Sequence, residues 1–333
     1  MIQPVRIARR PVLAGLLVAA AALVSFSLGL TAKPVRAVVP DRGDLYVGLD
    51  NGMVGHYRST GLHVETLDSR TGSAKSTGLC FDASGNLIST QLQANTISEF
   101  NADGSLAASN FGSGYNQGPE SCTVNAAGEI LVGQSGGTHQ VLKLDRSGRL
   151  LAAYSPTVGP QGTDWINLGA DQCTLYYTSR GAVIRRFNVC TNSQMSDFAT
   201  APTSPCYAHR VRPNGEVMLT CSTAVYRFGP AGNLLQTYSS LSLNPSTLLL
   251  VSLNLDPDNQ TFWTADAPSR VYHVDIPTGT QIGTFPIPSI VGGLAVVGEP
   301  GQAPSPGPSP TATPTPNAAL PRPPLTGRAT LRA

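Results

Sequence analysis

Four polar residues occupy positions where a ligand could be bound, because each lies within or beside one of the short apolar segments that recur along this sequence. Glu120 begins the segment ESCTV, Asp164 precedes WINLG, and His209 and Arg210 lie inside CYAHRV. Carboxylates, an imidazole and a guanidinium that converge in one cavity can bind a polar ligand or transfer protons. The alternative is that these side chains are buried between strands and bridge them through hydrogen bonds.

No catalytic or metal-binding motif accompanies these four residues in the sequence. The five histidines are scattered and form no HxH or HExxH pair: His56, His63, His139, His209 and His273. The segment Asp256–Asn259 lacks the glycine and the distal glutamate of a calcium loop, which favours an ordinary turn. A GxSxG nucleophile elbow is also missing. We therefore predict no catalytic residue, no metal ligand and no cofactor.

The elements that position the polar residues are internal repeats. The apolar residue that follows each polar turn recurs every 42–45 residues, at Leu45, Leu87, Ile130, Leu175, Val217 and Phe262. A period in the low forties with strand-like content is typical of propeller blades with four strands each. Apart from the N-terminal segment, no stretch has a sustained helical periodicity, so helices should be nearly absent.

Each repeat also contains a hairpin of two alternating strands, and the second strand ends in a large apolar residue. We expect these residues to pack between blades near the rim: Leu67, Phe111, Tyr154, Phe198, Tyr238 and Phe285. An innermost strand precedes every hairpin except the first, whereas the strand at residues 290–298 has no hairpin after it. This last strand should complete the first blade and close the ring. The sequence thus predicts an all-β fold, a six-bladed β-propeller of four-stranded antiparallel blades over residues 41–298.

Six cysteines in an exported chain indicate three disulfides. The pairs Cys173–Cys190 and Cys206–Cys221 each flank a predicted hairpin, so each pair should join two adjacent strands. The remaining pair, Cys80–Cys122, lies on the innermost strands of consecutive blades and is assigned by elimination. The alternative for this last pair is two small buried thiols.

The two ends of the chain differ in composition from the repeats. Residues 1–37 begin with three arginines and no acid and contain a charge-free apolar stretch at residues 11–32, as an export signal does. We expect cleavage of this segment; an uncleaved membrane anchor at residues 11–32 is the alternative. Residues 299–333 are rich in Pro, Ser and Thr, and we predict a disordered tail there. The protein is therefore expected to be extracellular or at the cell surface.

The charge of the repeat region argues against one class of partner. Residues 1–37 and 300–333 hold eight of the 22 basic residues and none of the 20 acidic ones, so the middle of the chain carries 14 basic and 20 acidic residues, a net charge of −6. An acidic domain repels a phosphate backbone. We therefore predict that nucleic acid is not a partner.

Several repeat units resemble a known family. The segments FDASGNLIST, NAAGEILVG, RPNGEVMLT and LDPDNQTFWTAD resemble NHL-type and YVTN-like propellers of secreted bacterial proteins, in particular an uncharacterised surface-protein branch. Repeats of that family carry D-x-x-G-N-L-x-V at the step from strand to turn to strand. The resemblance covers residues 41–298 and implies the propeller fold, whereas a shared fold does not define chemistry.

Two enzyme families also resemble the chain in the style of their repeats. Gluconolactonase-like propellers hold a divalent metal with a glutamate from an EGP-type strand, and Gly118-Pro119-Glu120 is a scrambled form of that motif. Streptogramin-lyase-like propellers use a seven-bladed ring with a histidine and acidic residues around magnesium, whereas six repeats are present here. These resemblances define the enzymatic alternative.

The sequence therefore predicts a monomeric, exported or surface-displayed binding module. We expect it to present one propeller face to a protein, a glycan or a small ligand, with Glu120, Asp164, His209 and Arg210 at the mouth of the central channel. Membrane contact would arise only through residues 11–32, if they are retained. The alternative is a metal-dependent, lactonase-like hydrolase or a lyase with calcium or magnesium in the central channel.

Overall fold

The described part of the chain is a ring of six antiparallel β-sheets. A computed structural model describes residues 38–246 and 249–301, and the sheets follow one another along the chain as six blades of four strands, one of which has a further short strand. The predicted export signal at residues 1–37 and residues 302–333 of the predicted tail lie outside the described residues. The predicted six-bladed β-propeller is confirmed.

The strands of the first three blades follow in chain order. Blade 1 contains β1 (Leu45–Leu49), β2 (Met53–Tyr57) and β3 (His63–Asp68). Blade 2 contains β4 (Ser76–Phe81), β5 (Leu87–Gln91), β6 (Thr96–Phe100) and β7 (Leu106–Ala108). Blade 3 contains β8 (Pro119–Val124), β9 (Ile130–Gln134), β10 (Val141–Leu144) and β11 (Leu150–Tyr154).

The other three blades and the closing strand complete the ring. Blade 4 contains β12 (Trp165–Leu168), β13 (Thr174–Thr178), β14 (Val183–Asn188), β15 (Ser193–Gln194) and β16 (Ala199–Thr200). Blade 5 contains β17 (Cys206–Val211), β18 (Val217–Cys221), β19 (Ala224–Phe228) and β20 (Leu234–Ser239). Blade 6 contains β21 (Leu250–Leu255), β22 (Thr261–Asp266), β23 (Arg270–Asp275) and β24 (Gln281–Pro286), and β25 (Val291–Val296) follows it.

The ring is closed by the last strand, as the sequence predicts. Strand β25 pairs with β1 in antiparallel register, with Leu45 opposite Val296 and Val47 opposite Leu294. It thereby becomes the innermost strand of blade 1. Because this pairing joins two segments distant in sequence, blade 1 does not leave an unpaired inner edge that could recruit another chain.

Burial decreases from the channel to the rim, which explains the change in sequence pattern across each blade. The innermost strands β4, β8 and β25 are buried at every residue, because they contact both neighbouring blades and the channel. The outermost strands β3 and β24 alternate and bury one residue each, Leu67 and Phe285. Five of the six predicted rim residues are buried, and the sixth, Phe198, is half-buried against the blade 5 cluster and Tyr176.

The apolar core of the described residues consists of six clusters, one at each seam between blades. At the seam between blades 6 and 1, Trp263 and Phe285 pack with Tyr57 and Val291. Apolar side chains are therefore buried between neighbouring blades rather than in the channel, which leaves the channel free to be lined by polar groups.

Glycines allow the innermost strands to approach closely. A Cβ on Gly293 would lie 1.7 Å from the carbonyl oxygen of Thr77, and one on Gly78 would lie 2.5 Å from the Cα of Ser121. No other residue type fits such contacts, because they place neighbouring inner strands backbone against backbone.

Three disulfides join the predicted pairs, two of which follow from register and the third from elimination. Cys173–Cys190 lies within blade 4 and Cys206–Cys221 within blade 5, whereas Cys80–Cys122 joins the innermost strands of blades 2 and 3 across a seam. In the described ranges no cysteine is free. Such cross-links persist in oxidising compartments, and each closes a loop worth roughly 3–4 kcal/mol on a chain-entropy basis.

Helix content is minimal in the described ranges, as expected. One four-residue helix, α1 (Ser240–Leu243), follows β20, and Ser239 caps its N-terminus. Within these ranges no helix has the length and apolar character needed to cross a membrane.

Candidate functional site

The six innermost strands begin around one cavity of about 220 Å³. Each strand supplies its first or second residue to the lining: Thr77, Glu120, Trp165, Tyr207, Val251 and Gly292. Residues of the preceding and adjacent turns complete it: Lys75, Asp164, Arg180, Leu249 and Ala267. The cavity is therefore the mouth of the central channel at the face where the inner strands begin, and we call it the mouth cavity.

Arg180 connects the two predicted carboxylates in the mouth cavity. Its Nη2 donates to Oε1 of Glu120 at 2.5 Å and its Nε donates to Oδ1 of Asp164 at 3.0 Å. Arg180 lies in the turn between β13 and β14 with φ of 54°, a left-handed conformation that orients this turn. The side chain thus reaches from blade 4 to the start of the innermost strand of blade 3.

Burial and charge shift the protonation of these groups. Burial, and next the negative charge of Glu120, raise the pKa of Asp164 well above its ordinary value, against the opposing effect of Arg180. Burial alone would lower the pKa of Arg180, but Asp164 and then Glu120 hold it above its ordinary value. Burial lowers the pKa of Lys75, which Glu120 partly offsets. Burial and the charge of Glu120 therefore make Asp164 easier to protonate than an ordinary aspartate.

Two charged groups in the mouth cavity keep hydrogen-bonding capacity that the described residues do not use. Oε2 of Glu120 is buried and accepts no hydrogen bond from an N–H or hydroxyl group of the described residues, although the Glu120 side chain is only 8% exposed. The Lys75 ammonium, within the same described ranges, forms neither an ion pair nor a hydrogen bond, although Glu120 contributes most to its electrostatic environment. Both groups line the cavity without pairing with each other.

The opposite side of the mouth cavity is apolar. Leu249, Val251 and Ala267 line it from blade 6, and Trp165 and Tyr207 lie between the charged and apolar sides. The Trp165 ring also forms part of the core between blades 5 and 6. The cavity is therefore amphipathic, with charges on blades 2 to 4 and hydrocarbon on blade 6.

Arg210 lies at the other end of the channel, which corrects its predicted place at the mouth. It is the fifth residue of β17, and its Nε donates to Oε1 of Glu299 at 2.9 Å. The second carboxylate oxygen of Glu299 accepts from Asn254 at 2.7 Å, and Oε1 also accepts from the backbone N–H of Leu255 at 2.5 Å. The guanidinium carbon of Arg210 lies 5.6 Å from the centre of the Trp165 ring.

The position of Glu299 shifts the predicted boundary between the propeller and the tail. The sequence assigns residue 299 to the tail because Pro and Gly follow it, but its carboxylate is fully buried against Arg210 and blade 6. Burial raises the pKa of Glu299, and Arg210 and then the Leu255 N–H oppose this effect. The propeller therefore extends at least to Glu299.

His209 is not at the mouth either. Its side chain is fully buried, and neither ring nitrogen has a partner of hydrogen-bonding geometry among the described residues. Burial, and next the charge of Arg210, lower the pKa of His209 to about 3, against a smaller opposing effect of the Tyr176 backbone. The ring is therefore neutral and part of the packing between strands.

Two other histidines fill equivalent structural positions on third strands. His56 lies opposite Tyr46 and stacks on it, and its Nε2 contacts Asp44 at 2.9 Å. His273 lies opposite Trp263 and stacks on it at 3.8 Å between ring centres. In blades 3 and 5 the same register is occupied by Lys143 and Arg227, which lie opposite Leu131 and Met218. They form ion pairs with Glu129 and Glu216 of the turns that precede the second strands. These contacts are remote from the mouth cavity.

The described residues contain no group of three or more His, Cys, Asp or Glu side chains with the geometry to hold a metal ion. The segment Asp256–Asn259 forms a turn in which the N–H of Asn259 donates to the carbonyl of Asp256. The carboxylate of Asp256 accepts from Trp263 and Thr261. This turn has the structure that its sequence indicates.

The fold and the cavity define a class, a six-bladed β-propeller with a charged cavity at one mouth of its channel. The sequence matches no protein-family model and no curated protein. Solved structures share the fold. A streptogramin B lyase structure has a TM-score of 0.53 at 17% identity, covering 69% of this chain and 74% of its own.

Two further solved structures have similar scores. The WD40 β-propeller domain of Doa1 has a TM-score of 0.59 at 12% identity, covering 78% of this chain and 84% of its own. A chain of the nidogen/laminin complex has a TM-score of 0.59 at 13% identity, covering 77% of this chain and 98% of its own. At these identities the likeness shows the fold alone.

Proposed function

We propose that this protein is an exported binding module of the NHL-like type, and that the mouth cavity is its ligand site. The observation that carries the proposal is that all six blades contribute to a single cavity in which charged groups are held in place by Arg180. Binding sites are concave and contain a few fixed polar groups beside apolar surface. Three disulfides agree with a role outside the cytoplasm.

The size of the cavity limits the ligand. Typical pockets for small molecules measure roughly 300–1,000 Å³, whereas the mouth cavity measures about 220 Å³. The ligand is therefore a small molecule, or one residue of a larger protein or glycan partner that covers the same face.

Filling the cavity tests this proposal. Wild-type protein is screened by ligand-observed NMR against a library of small polar compounds, and each compound that binds is tested on Ala267→Phe, which places a ring in the cavity. Ala107→Phe, on the exposed middle of β7, is the matched control. We expect Ala267→Phe to abolish binding and Ala107→Phe to leave it unchanged. If bound compounds are indifferent to Ala267→Phe, the mouth cavity is not the ligand site.

A second candidate is a hydrolase or lyase that uses a divalent cation such as calcium or magnesium in the channel. The observation in its favour is the pairing of Glu120 and Asp164 around Arg180, together with the raised pKa of Asp164. Raised carboxyl pKa values occur in general acids. Calorimetric titration with Ca²⁺ and Mg²⁺ separates the candidates, because cation binding that Glu120→Gln and Asp164→Asn abolish would favour the enzyme.

A further inference from the structure

The mouth cavity contains two groups of opposite charge whose hydrogen-bonding capacity is not fully used by the described residues. Oε1 of Glu120 is paired with Arg180, but its buried Oε2 accepts from no N–H or hydroxyl group of these residues. The ammonium of the half-buried Lys75 has neither an ion pair nor a hydrogen bond within the same ranges. A direct ion pair between Glu120 and Lys75 would use both groups, and its absence leaves both available to a ligand.

Arg180 explains why the two groups remain apart. Its guanidinium uses Nη2 on Glu120 and Nε on Asp164, so it fixes the carboxylates on the side of blades 3 and 4. Lys75 approaches from the turn before β4, and its side chain passes over Gly292, where a Cβ would lie 3.2 Å from Cε of Lys75. The carboxylates held by Arg180 and the ammonium of Lys75 thus line the same cavity. Leu249, Val251 and Ala267 lie opposite them.

A ligand complementary to this arrangement carries three features. An ammonium group donates to Oε2 of Glu120, a carboxylate accepts from Lys75, and an apolar substituent contacts the hydrocarbon of blade 6. We propose that the mouth cavity binds a small zwitterion with an apolar side chain, that is, a free apolar α-amino acid. This inference rests on the proposed function and specifies its ligand class.

The test uses L-leucine and three compounds that each lack one feature. 3-Methylbutan-1-amine lacks the carboxylate, 4-methylpentanoic acid lacks the ammonium, and glycine lacks the apolar side chain. Affinities are measured by isothermal titration calorimetry on the purified full chain at neutral pH. We expect L-leucine to bind at least roughly tenfold more tightly than each of the three. The amine and the acid each lose a charge-assisted hydrogen bond, and glycine loses the burial of an apolar side chain.

Two charge-removing variants assign each contact. Glu120→Gln should weaken L-leucine and the amine but not the acid, whereas Lys75→Met should weaken L-leucine and the acid but not the amine. Glu129→Gln and Lys143→Met are the matched controls, because they make the same changes in an ion pair outside the cavity. Lys75→Arg, which keeps the charge, should restore acid binding and shows that a loss in Lys75→Met is not a folding defect.

The outcomes separate this inference from the proposed function. The zwitterion is excluded if L-leucine binds no more tightly than the amine or the acid, or if Glu120→Gln and Lys75→Met behave like their controls. If L-leucine fails to bind while another compound is lost in Ala267→Phe, the cavity is the ligand site but its ligand class is different. If no compound depends on Ala267, both proposals are wrong.

Discussion

The buried Arg210–Glu299 pair gives the sharpest prediction for stability. The Glu299 carboxylate is fully buried and accepts from three donors, namely Arg210, Asn254 and the backbone N–H of Leu255, and Arg210 is only 7% exposed. Glu299→Ala removes the acceptor of all three at once. Because it leaves the buried Arg210 guanidinium without its counter-ion and two further donors without an acceptor, we expect a loss of about 3–5 kcal/mol in the free energy of unfolding.

Glu299→Gln should behave differently. Its amide oxygen still accepts a hydrogen bond, and it removes a charge whose burial is costly, as the raised pKa of Glu299 indicates. We therefore expect a loss of less than about 2 kcal/mol. In wild type, the raised folded-state pKa means that stability is highest below the unfolded pKa and falls as pH rises through the folded pKa. Glu299→Gln should abolish that part of the pH dependence.

The assay is urea unfolding followed by tryptophan fluorescence, with the disulfides intact. The two tryptophans report on global unfolding: the Trp165 ring lies 5.6 Å from the guanidinium carbon of Arg210, and Trp263 lies in the core between blades 6 and 1. A loss of 3–5 kcal/mol corresponds to a decrease of about 10 °C in Tm for a domain of this size. The reasoning is refuted if Glu299→Ala costs less than about 1 kcal/mol, or if Glu299→Gln costs as much as Glu299→Ala.

Three further predictions concern the packing. His209→Leu should leave stability at neutral pH unchanged or higher, because it removes two unpartnered nitrogens. It should also flatten the decrease in stability between the unfolded pKa of about 6.5 and the folded pKa of about 3, as measured by urea midpoints across pH. Gly293→Ala should destabilise severely or prevent folding, because its Cβ would lie 1.7 Å from the Thr77 carbonyl oxygen; a normal Tm by circular dichroism would contradict this. Removal of the Cys80–Cys122 disulfide by paired serine substitutions should cost roughly 2–5 kcal/mol, and an unchanged thermal transition would show that the seam between blades 2 and 3 does not need it.

The fold can be predicted from the sequence because two independent repeat patterns have the same period. The apolar residue after each turn and the hairpin that follows it both recur in the low forties, and only a ring of blades satisfies both. The strand at residues 290–298 has no hairpin of its own, which indicates ring closure. The pairs Cys173–Cys190 and Cys206–Cys221 follow from the same register, because each pair flanks one hairpin. Cys80–Cys122 follows only by elimination.

The site is harder to predict from the sequence, because the position of a residue along its inner strand decides which end of the channel its side chain reaches. Glu120 is the second residue of its inner strand, and Asp164 immediately precedes another, so both reach the mouth. Arg210 is fifth in its strand, and at about 3.3 Å per residue it lies near the opposite end. His209 precedes it, and the register shift between Cys206 and His209 alters the pairing of the strand there.

Arg180 and Lys75 could not be assigned from sequence because they lie in turns. The side chain of a turn residue is directed by backbone conformation, and the left-handed φ of Arg180 is not marked by a glycine or asparagine at that position. The burial of Glu299 could not be predicted from the sequence for a different reason. Its neighbours have the composition of a tail, whereas its burial depends on Arg210, which is 89 residues earlier in the chain.

Each inner strand contributes one residue to the lining of the mouth cavity, so the chemistry of the cavity is set by six positions on a scaffold that stays the same. The half-buried side chains of Tyr207 and Val251 are the most open to exchange, so closely related chains could diverge in ligand while keeping the same ring. Gly292 cannot be replaced, because a Cβ there would lie 2.1 Å from the Ser76 carbonyl oxygen. Trp165 is constrained as well, since its ring belongs to the core. A combinatorial library at Tyr207 and Val251 would sample new specificities while leaving the Arg180–Glu120 ion pair and the Thr77–Thr90 hydrogen bond intact.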